Sequence, residues 1–332
     1  MIDFKPSPEQ VQITDSIAGY LTANFPLERL QPRRGQAKTV RSAWRELAEQ
    51  GFFGLGASED IGGAGFSVVE EMLAHREFAR ALISPSILAT VVAVHVLAET
   101  GKGDLAAALV AGDRPVSFAL PRGGGELHLL DAEPGDLVLL AADDRLALLE
   151  RDDLAEVSEV SSLDESVSLH RARSDAAAPV ATGPSPRLNL LLAAALVGMA
   201  EASRDAAVEH AKFREQFGKP IGSFQGVAHH CADMELRARA ARAETAFAAM
   251  ALADDRSDAA FHVSAAAIVA ADAAIRNATM AIRVLGAMGF TAESPLHHYL
   301  KRSHLYERLA GGTRKLQADL LRHDAAPASA DL

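Results

Sequence analysis

Arg214-Glu215-Gln216-Phe217-Gly218-Lys219-Pro220-Ile221-Gly222-Ser223-Phe224-Gln225 lies between two long helical patterns. Gly218 and Gly222 bracket Pro220 and break the first pattern. Ser223 stands where the N-cap of the second is expected. The stretch reads as a helix end, a turn and a helix start. It presents a cation, Arg214, an aromatic ring, Phe217, and an amide, Gln225, in one short bend. Such a bend can hold a phosphate and stack on a planar ring. Its length is also that of a plain helix–loop–helix connector.

Around this bend, Leu188, Leu191, Leu192, Ala195, Met199 and Ala202 keep helical spacing. The spacing predicts helices over 187–213, 223–252 and 257–286, long enough to form a bundle. Alanine at many interior positions permits short interaxial distances. Gly286-Ala287-Met288-Gly289-Phe290 ends the third helix. Pro295 and Gly311-Gly312 bracket a shorter one, and a last helix follows Thr313, which can cap it. Asp324 to Leu332 is rich in Ala, Pro and Ser and is expected to be disordered.

Nearer the start, Ser7 and Gln10 form a candidate capping box for a helix over 7–24. Further helices are expected over 38–50, with Trp44, and over 67–81 and 85–100. The loop Gly62-Gly63-Ala64-Gly65 has no preceding strand and no following Lys, so it does not read as a P-loop. At Arg114 the period changes. Val116–Leu120, Asp136–Ala141 and Arg145–Leu149 are short apolar runs bounded by Gly, Pro and Asp and read as strands; Glu165–Ala172 reads so more weakly. Pro179, Gly183, Pro184 and Pro186 form a linker-like cluster. The expected order is an N-terminal helical domain (1–113), a short middle β domain (114–182), a C-terminal domain of four or five helices (183–323) and a tail (324–332).

The 332 residues allow two or three domains. Apolar content of 49% with 23% charged residues is that of a globular protein. The net charge of −11 argues against a general nucleic-acid or membrane-surface binder, without excluding an anionic ligand held by local arginines. A lone cysteine, Cys231, rules out an intrachain disulfide framework and a cysteine-based metal site. The adjacent pairs His229-His230 and His297-His298 point about 100° apart on a helix and predict no two-ligand metal face. The most apolar run, Leu188–Ala200, is short for a bilayer, and Met1-Ile2-Asp3-Phe4-Lys5 lacks signal-peptide order, so a cytoplasmic location is expected.

The wording R-x-x-F-G-x-P-I-x-x-F-Q, followed by Ala232-Asp233-Met234, resembles the C-terminal-domain signature of the acyl-CoA dehydrogenases. The string Gly62 to Glu71 is similar to the part of their N-terminal domain that shapes the acyl pocket. The resemblance implies a mainly α fold with a small β domain between two helical domains. It implies FAD as cofactor and an acyl-CoA thioester as substrate, dehydrogenated between its α and β carbons. Arg214, Phe217 and Gln225 would reach the diphosphate and adenosine part of FAD bound mainly by a neighbouring subunit. Arg283, in the segment matching a second diphosphate motif, and Thr313 would also face the cofactor.

The sequence departs from the family pattern at the base. The usual Glu directly before Gly-Thr is Gly311, ahead of Gly312-Thr313. The alternative location, Arg187-Leu188-Asn189-Leu190, holds no carboxylate either. Glu307, one turn earlier, is the remaining weak candidate. The family's flavin loop is replaced by Ala119-Leu120-Pro121-Arg122-Gly123-Gly124-Gly125, and the β domain looks shortened. The pattern resembles the non-catalytic chain of hetero-oligomeric bacterial acyl-CoA dehydrogenases of steroid breakdown. In that arrangement the chain completes the FAD site of a related partner, as in a heterotetramer. The alternatives are a self-sufficient homo-oligomer using Glu307 and a non-redox binding or scaffold relative.

Overall fold

Ser7 opens the first helix as expected. Its hydroxyl accepts from Gln10 N while its own N–H donates to Gln10 Oε1, closing a capping box. The computed structural model describes residues 5–30, 40–142, 145–174, 180–182 and 185–323. The proposed tail and the linker residues Pro179, Gly183 and Pro184 lie outside the described residues. The order is α1 (Pro8–Asn24), α2 (Trp44–Glu49), α3 (Val68–Arg80), α4 (Ser86–Glu99) and α5 (Gly103–Val110). A sheet follows: β1 (Val116–Gly123), β2 (Glu126–Leu130), β3 (Leu137–Ala142), β4 (Arg145–Glu150), β5 (Ala155–Val160), β6 (Leu169–Arg173) and β7 (Val180–Thr182). The chain then runs through α6 (Pro186–Phe213), the two-residue strands β8 (Glu215–Gln216) and β9 (Lys219–Pro220), α7 (Gln225–Ala253) and α8 (Ala259–Leu285). It closes with α9 (Leu296–Leu309) and α10 (Thr313–Leu320). This is the expected mainly α fold with one small mixed sheet.

Two compact units form, each drawing on more than one of the three expected segments: Met1–Ala37, Met72–Leu82 and Asn189–Leu332 in one, Lys38–Glu71 and Ile83–Leu188 in the other. The first unit is helical. The short connection between α7 and α8 makes them antiparallel, and alanines at 266, 267, 270, 271, 273 and 274 are buried along α8. Asn277 locks three helices at once. Its amide donates to the carbonyls of Ala200 (3.1 Å) and Met234 (2.9 Å) and its oxygen accepts from Arg237 (2.9 Å). The segment Ala259–Phe290 is apolar and long enough to cross a bilayer by length and composition. Half of its most apolar window is buried against the bundle, as for the core helix of a globular unit.

The same unit buries a charge network. Glu201, 1% exposed, accepts from Arg76 Nε at 2.6 Å and lies 3.4 Å from Arg80 and 3.5 Å from Arg242. Arg80 also donates to Asp205 at 2.8 Å. Burial alone would raise the Asp205 carboxyl, but Arg80 and Arg204 outweigh it and hold that carboxyl below its usual range. Arg29 donates to the carbonyls of Phe25, Ala81 and Leu82; burial first, and then Arg302, lower it to about 10. A cavity of about 480 Å³ opens here, lined by Leu21, Phe25, Glu77, Arg80, Asp205 and Tyr299. Arg80 is already paired with Asp205, and the Tyr299 hydroxyl donates to the Arg80 carbonyl.

In the second unit the strand order is β5-β6-β2-β1-β3-β4-β7, with β1 and β3 parallel and the other pairs antiparallel. One face packs a core of Ala119, Leu127, Leu129, Val138, Leu149 and Ala172. The other face is buried along Phe118, Leu130, Leu139 and Leu148, and α4 packs on β1, where Thr90 Oγ1 accepts from Val116 N. Strands β2, β5 and β7 and helix α5 add to what the sequence pattern predicts.

Candidate functional site

The bend at 214–225 is more structured than a connector. Glu215 pairs with Pro220 and Gln216 with Lys219, so Phe217 and Gly218 form a two-residue hairpin turn. Both have positive φ, 54° and 78°, as a type I′ turn requires. Gly218 adopts this freely; Phe217 pays about 1–2 kcal/mol of backbone strain. The strain holds its ring at the hairpin tip, 92% exposed. Phe224 meets that ring edge-on at 6.1 Å, and Lys219 Nζ lies 4.4 Å from the Phe224 ring. The expected cap does not form. The Ser223 hydroxyl donates to Pro220 O instead, the N-cap is Phe224, and α7 begins at Gln225 with no side-chain cap.

Arg214 and Gln225 are exposed and make no side-chain hydrogen bond among the described residues. Arg283 is exposed in the last turn of α8, whose C-terminus lies at the same end of the antiparallel pair as Gln225. The turn beyond it exposes Met288 and Phe290, 57% and 78%. Phe213, 79% exposed, closes α6 next to the hairpin. One end of the bundle thus gathers exposed cations with no ion pair among the described residues, an amide and uncovered rings. Thr313 is not among them. It starts α10, beyond the far end of α9, about 20 Å of helix away from the turn after α8.

Glu307 is engaged elsewhere. Its Oε1 accepts from both the N–H and the hydroxyl of Thr313, each at 2.8 Å. The carboxylate therefore caps α10, and Thr313, expected as that cap, is instead its first residue and a donor. Gly311 has φ of 93°, and a side chain there would be strained and would meet Lys315.

At the alternative base location, the structure brings in a carboxylate that spacing did not reveal. Glu71 of α3 is 1% exposed; Arg187 donates to one of its oxygens and His95 Nε2 lies 2.6 Å from the other. Each oxygen thereby has a cationic or imidazole partner. The separation of 116 positions between Glu71 and Arg187 hid this pair from any local motif. The loop before α3 also has its own cap: Glu70 accepts from Ser67 N and Ser67 Oγ. In α9, the rings of His297 and His298 touch, 4.1 Å between centroids, although neighbouring helix positions diverge.

Two family models match the chain: "Acyl-CoA dehydrogenase, N-terminal domain" over residues 7–110 and "Acyl-CoA dehydrogenase, C-terminal domain" over residues 187–325. Acyl-CoA dehydrogenase IpdE2 of Mycobacterium tuberculosis is 30% identical over 83% of this chain and 84% of its own length. The chain belongs to the acyl-CoA dehydrogenase family. Acyl-CoA dehydrogenase FadE34 of the same organism is 37% identical over 84% of this chain, which spans only 41% of FadE34. The ChsE4–ChsE5 complex of M. tuberculosis shares the fold, with a TM-score of 0.79 at 24% identity, covering 98% of this chain and 100% of that one.

FAD is the cofactor of this acyl-CoA dehydrogenase fold. The residues fit it unevenly. Arg214, Gln225 and Arg283 are exposed polar groups with no side-chain hydrogen bond among the described residues, and Phe217 is held outward by a strained turn. These suit an outward-facing contribution to a dinucleotide. Thr313 is tied to one oxygen of Glu307, and both oxygens of Glu71 are hydrogen-bonded or ion-paired.

Proposed function

We propose that this chain acts in FAD-dependent dehydrogenation of an acyl-CoA thioester as the subunit that completes the FAD site of a related, catalytic chain. The observation that carries this reading is a contrast within the chain: Arg214, Phe217, Gln225 and Arg283 are exposed, while glycine stands at the usual base position and Glu307 and Glu71 are already hydrogen-bonded. When bound, FAD would accept a hydride from the substrate's β carbon. The base that takes the α proton must then come from the partner. In this chain, Arg214 and Arg283 would pair with phosphate oxygens, Phe217 would cover a ring face, and Gln225 would offer its amide to the nucleotide. Phe213, Met288 and Phe290 would be buried against the partner.

The relatives support a paired arrangement. ChsE4–ChsE5 is a complex, and FadE34 is more than twice as long as the stretch matched here. The acyl group is proposed to be a steroid side chain or ring fragment, after the steroid enzyme pair Tcur3481–Tcur3483, which has the same fold.

Co-expression with a related chain that carries the Glu tests the reading. The mixed oligomer should lose activity when the partner's Glu is changed to Gln. Glu307→Gln should leave turnover within about twofold while lowering stability by about 1 kcal/mol through the weakened cap of α10. Loss of turnover in Glu307→Gln with the fold intact would instead make Glu307 the base of a self-sufficient enzyme.

A further inference from the structure

The cavity of about 480 Å³ in the helical unit is walled by α1, the end of α3, α6 and α9. Ala18, Ala81 and Ala202 stand on three of its sides, and their small side chains leave space that larger ones would fill. Its volume lies within the range of small-molecule sites, about 300–1,000 Å³. Leu21 and Phe25, one turn apart on α1 and both buried, give it an apolar wall. Glu77, 7% exposed, also lines it. This carboxylate lies 3.4 Å from Arg80 Nε and 3.7 Å from Arg76, yet it accepts no hydrogen bond among the described residues. Both guanidiniums have nearer acids: Arg76 donates to Glu201 at 2.6 Å and Arg80 to Asp205 at 2.8 Å. Burial lifts the Glu77 carboxyl above its usual range; Arg76 and Arg80 oppose the lift, and Glu201 and Asp15 add to it. Glu28 lines the same space, is exposed, and makes no ion pair among the described residues.

A buried carboxylate is costly unless donors satisfy it. A ligand that suits Glu77 brings N–H donors and positive charge, and its remainder must suit the apolar wall. An anion would meet Glu77 and Glu28, while the lining cation, Arg80, is held by Asp205. A neutral hydrocarbon would fill the space and leave Glu77 unsatisfied. We propose that this cavity is a binding site for a small organic ammonium ion, with its head on Glu77 and its hydrocarbon body against Leu21 and Phe25. An ammonium head carries three donors, so it can serve Glu77 without breaking the Arg76 and Arg80 pairs. The site is separate from the FAD-facing bend. Ala202 and Asp205 lie about two to three turns of α6 before Phe213, and none of Arg214, Phe217, Gln225 and Arg283 lines the cavity.

Calorimetric titration of the full chain compares phenethylammonium with 2-phenylethanol, which has the same body and a neutral head. The native protein should prefer the ammonium about tenfold or more, the effect of one charge-assisted hydrogen bond in a buried site. Glu77→Gln keeps the shape and removes the charge, and should lose that preference. Ala18→Leu fills the cavity from α1 with a good helix former. It should weaken binding of the ammonium about tenfold or more without lowering the thermal midpoint, and it decides the matter even if Glu77→Gln does not fold. Failure of the native protein to bind phenethylammonium would leave the space to water and overturn the proposal. A preference that survives in Glu77→Gln would reflect the net charge of −11 rather than this carboxylate. Native-like binding by Ala18→Leu would place the ligand elsewhere. Either result would also overturn it.

Discussion

Arg214→Ala combined with Phe217→Ala should weaken FAD binding in the assembled oligomer about 100-fold and leave the fold intact. A guanidinium–phosphate bond contributes about 1.5–3 kcal/mol, which alone is about 10- to 150-fold. Loss of the aromatic face adds about 1 kcal/mol. Neither side chain supports the bundle: Arg214 is exposed and unbonded among the described residues, and Phe217 stands 92% exposed. Phe217 allows a sharper version. Its φ of 54° is one that asparagine before Gly218 adopts far more easily. Phe217→Asn should therefore raise chain stability by about 1 kcal/mol while still weakening FAD binding. Opposite signs for stability and flavin affinity, read by thermal melts and fluorescence titration, would show that the turn's strain serves the cofactor. A drop in both would mean that Phe217 is a structural residue.

Glu201→Ala should destabilise the helical unit by about 3–5 kcal/mol, enough to abolish soluble expression at 37 °C. Glu201 is 1% exposed, and its loss deprives Arg76 of its closest carboxylate and Arg80 and Arg242 of a neighbour. The penalty comes from cations left in a desolvated site rather than from the worth of one ion pair. Glu201→Ala/Arg76→Met, which removes charge on both sides, should recover a large part of the loss. The same network makes the unit acid-sensitive through Asp205. Its folded carboxyl lies below the unfolded one, so its contribution is complete above about pH 4 and is lost as pH falls through the folded value. A melt series from pH 6 to pH 3 checks this; Asp205→Asn should flatten the acid limb.

The long helices were legible because each carries a sustained apolar stripe; α6, α7 and α8 begin and end within about two residues of their predicted bounds. The elements that were missed are short or carry misleading chemistry. Strand β2, Glu-Leu-His-Leu-Leu, is five residues long, and β5 is an exposed strand with the polar pattern Ala-Glu-Val-Ser-Glu-Val. The hairpin at 215–220 hid because phenylalanine, not asparagine, precedes its glycine. Ser223 and Thr313 are both residue types that cap helices, yet Ser223 turned back on Pro220 and α10 recruited Glu307 from the preceding helix. At the site, the motif residues Arg214, Phe217, Gln225 and Arg283 were readable one by one. The Glu71–Arg187 pair was not, because it exists only after α3 and α6 have packed.

The most direct measurement is the visible spectrum of the chain purified alone, loaded with FAD and passed through gel filtration, beside the same measurement on the chain co-expressed with a related acyl-CoA dehydrogenase. The account predicts no retained flavin band for the chain alone and a stoichiometric band for the mixed oligomer. A full flavin band retained by the chain alone would contradict it.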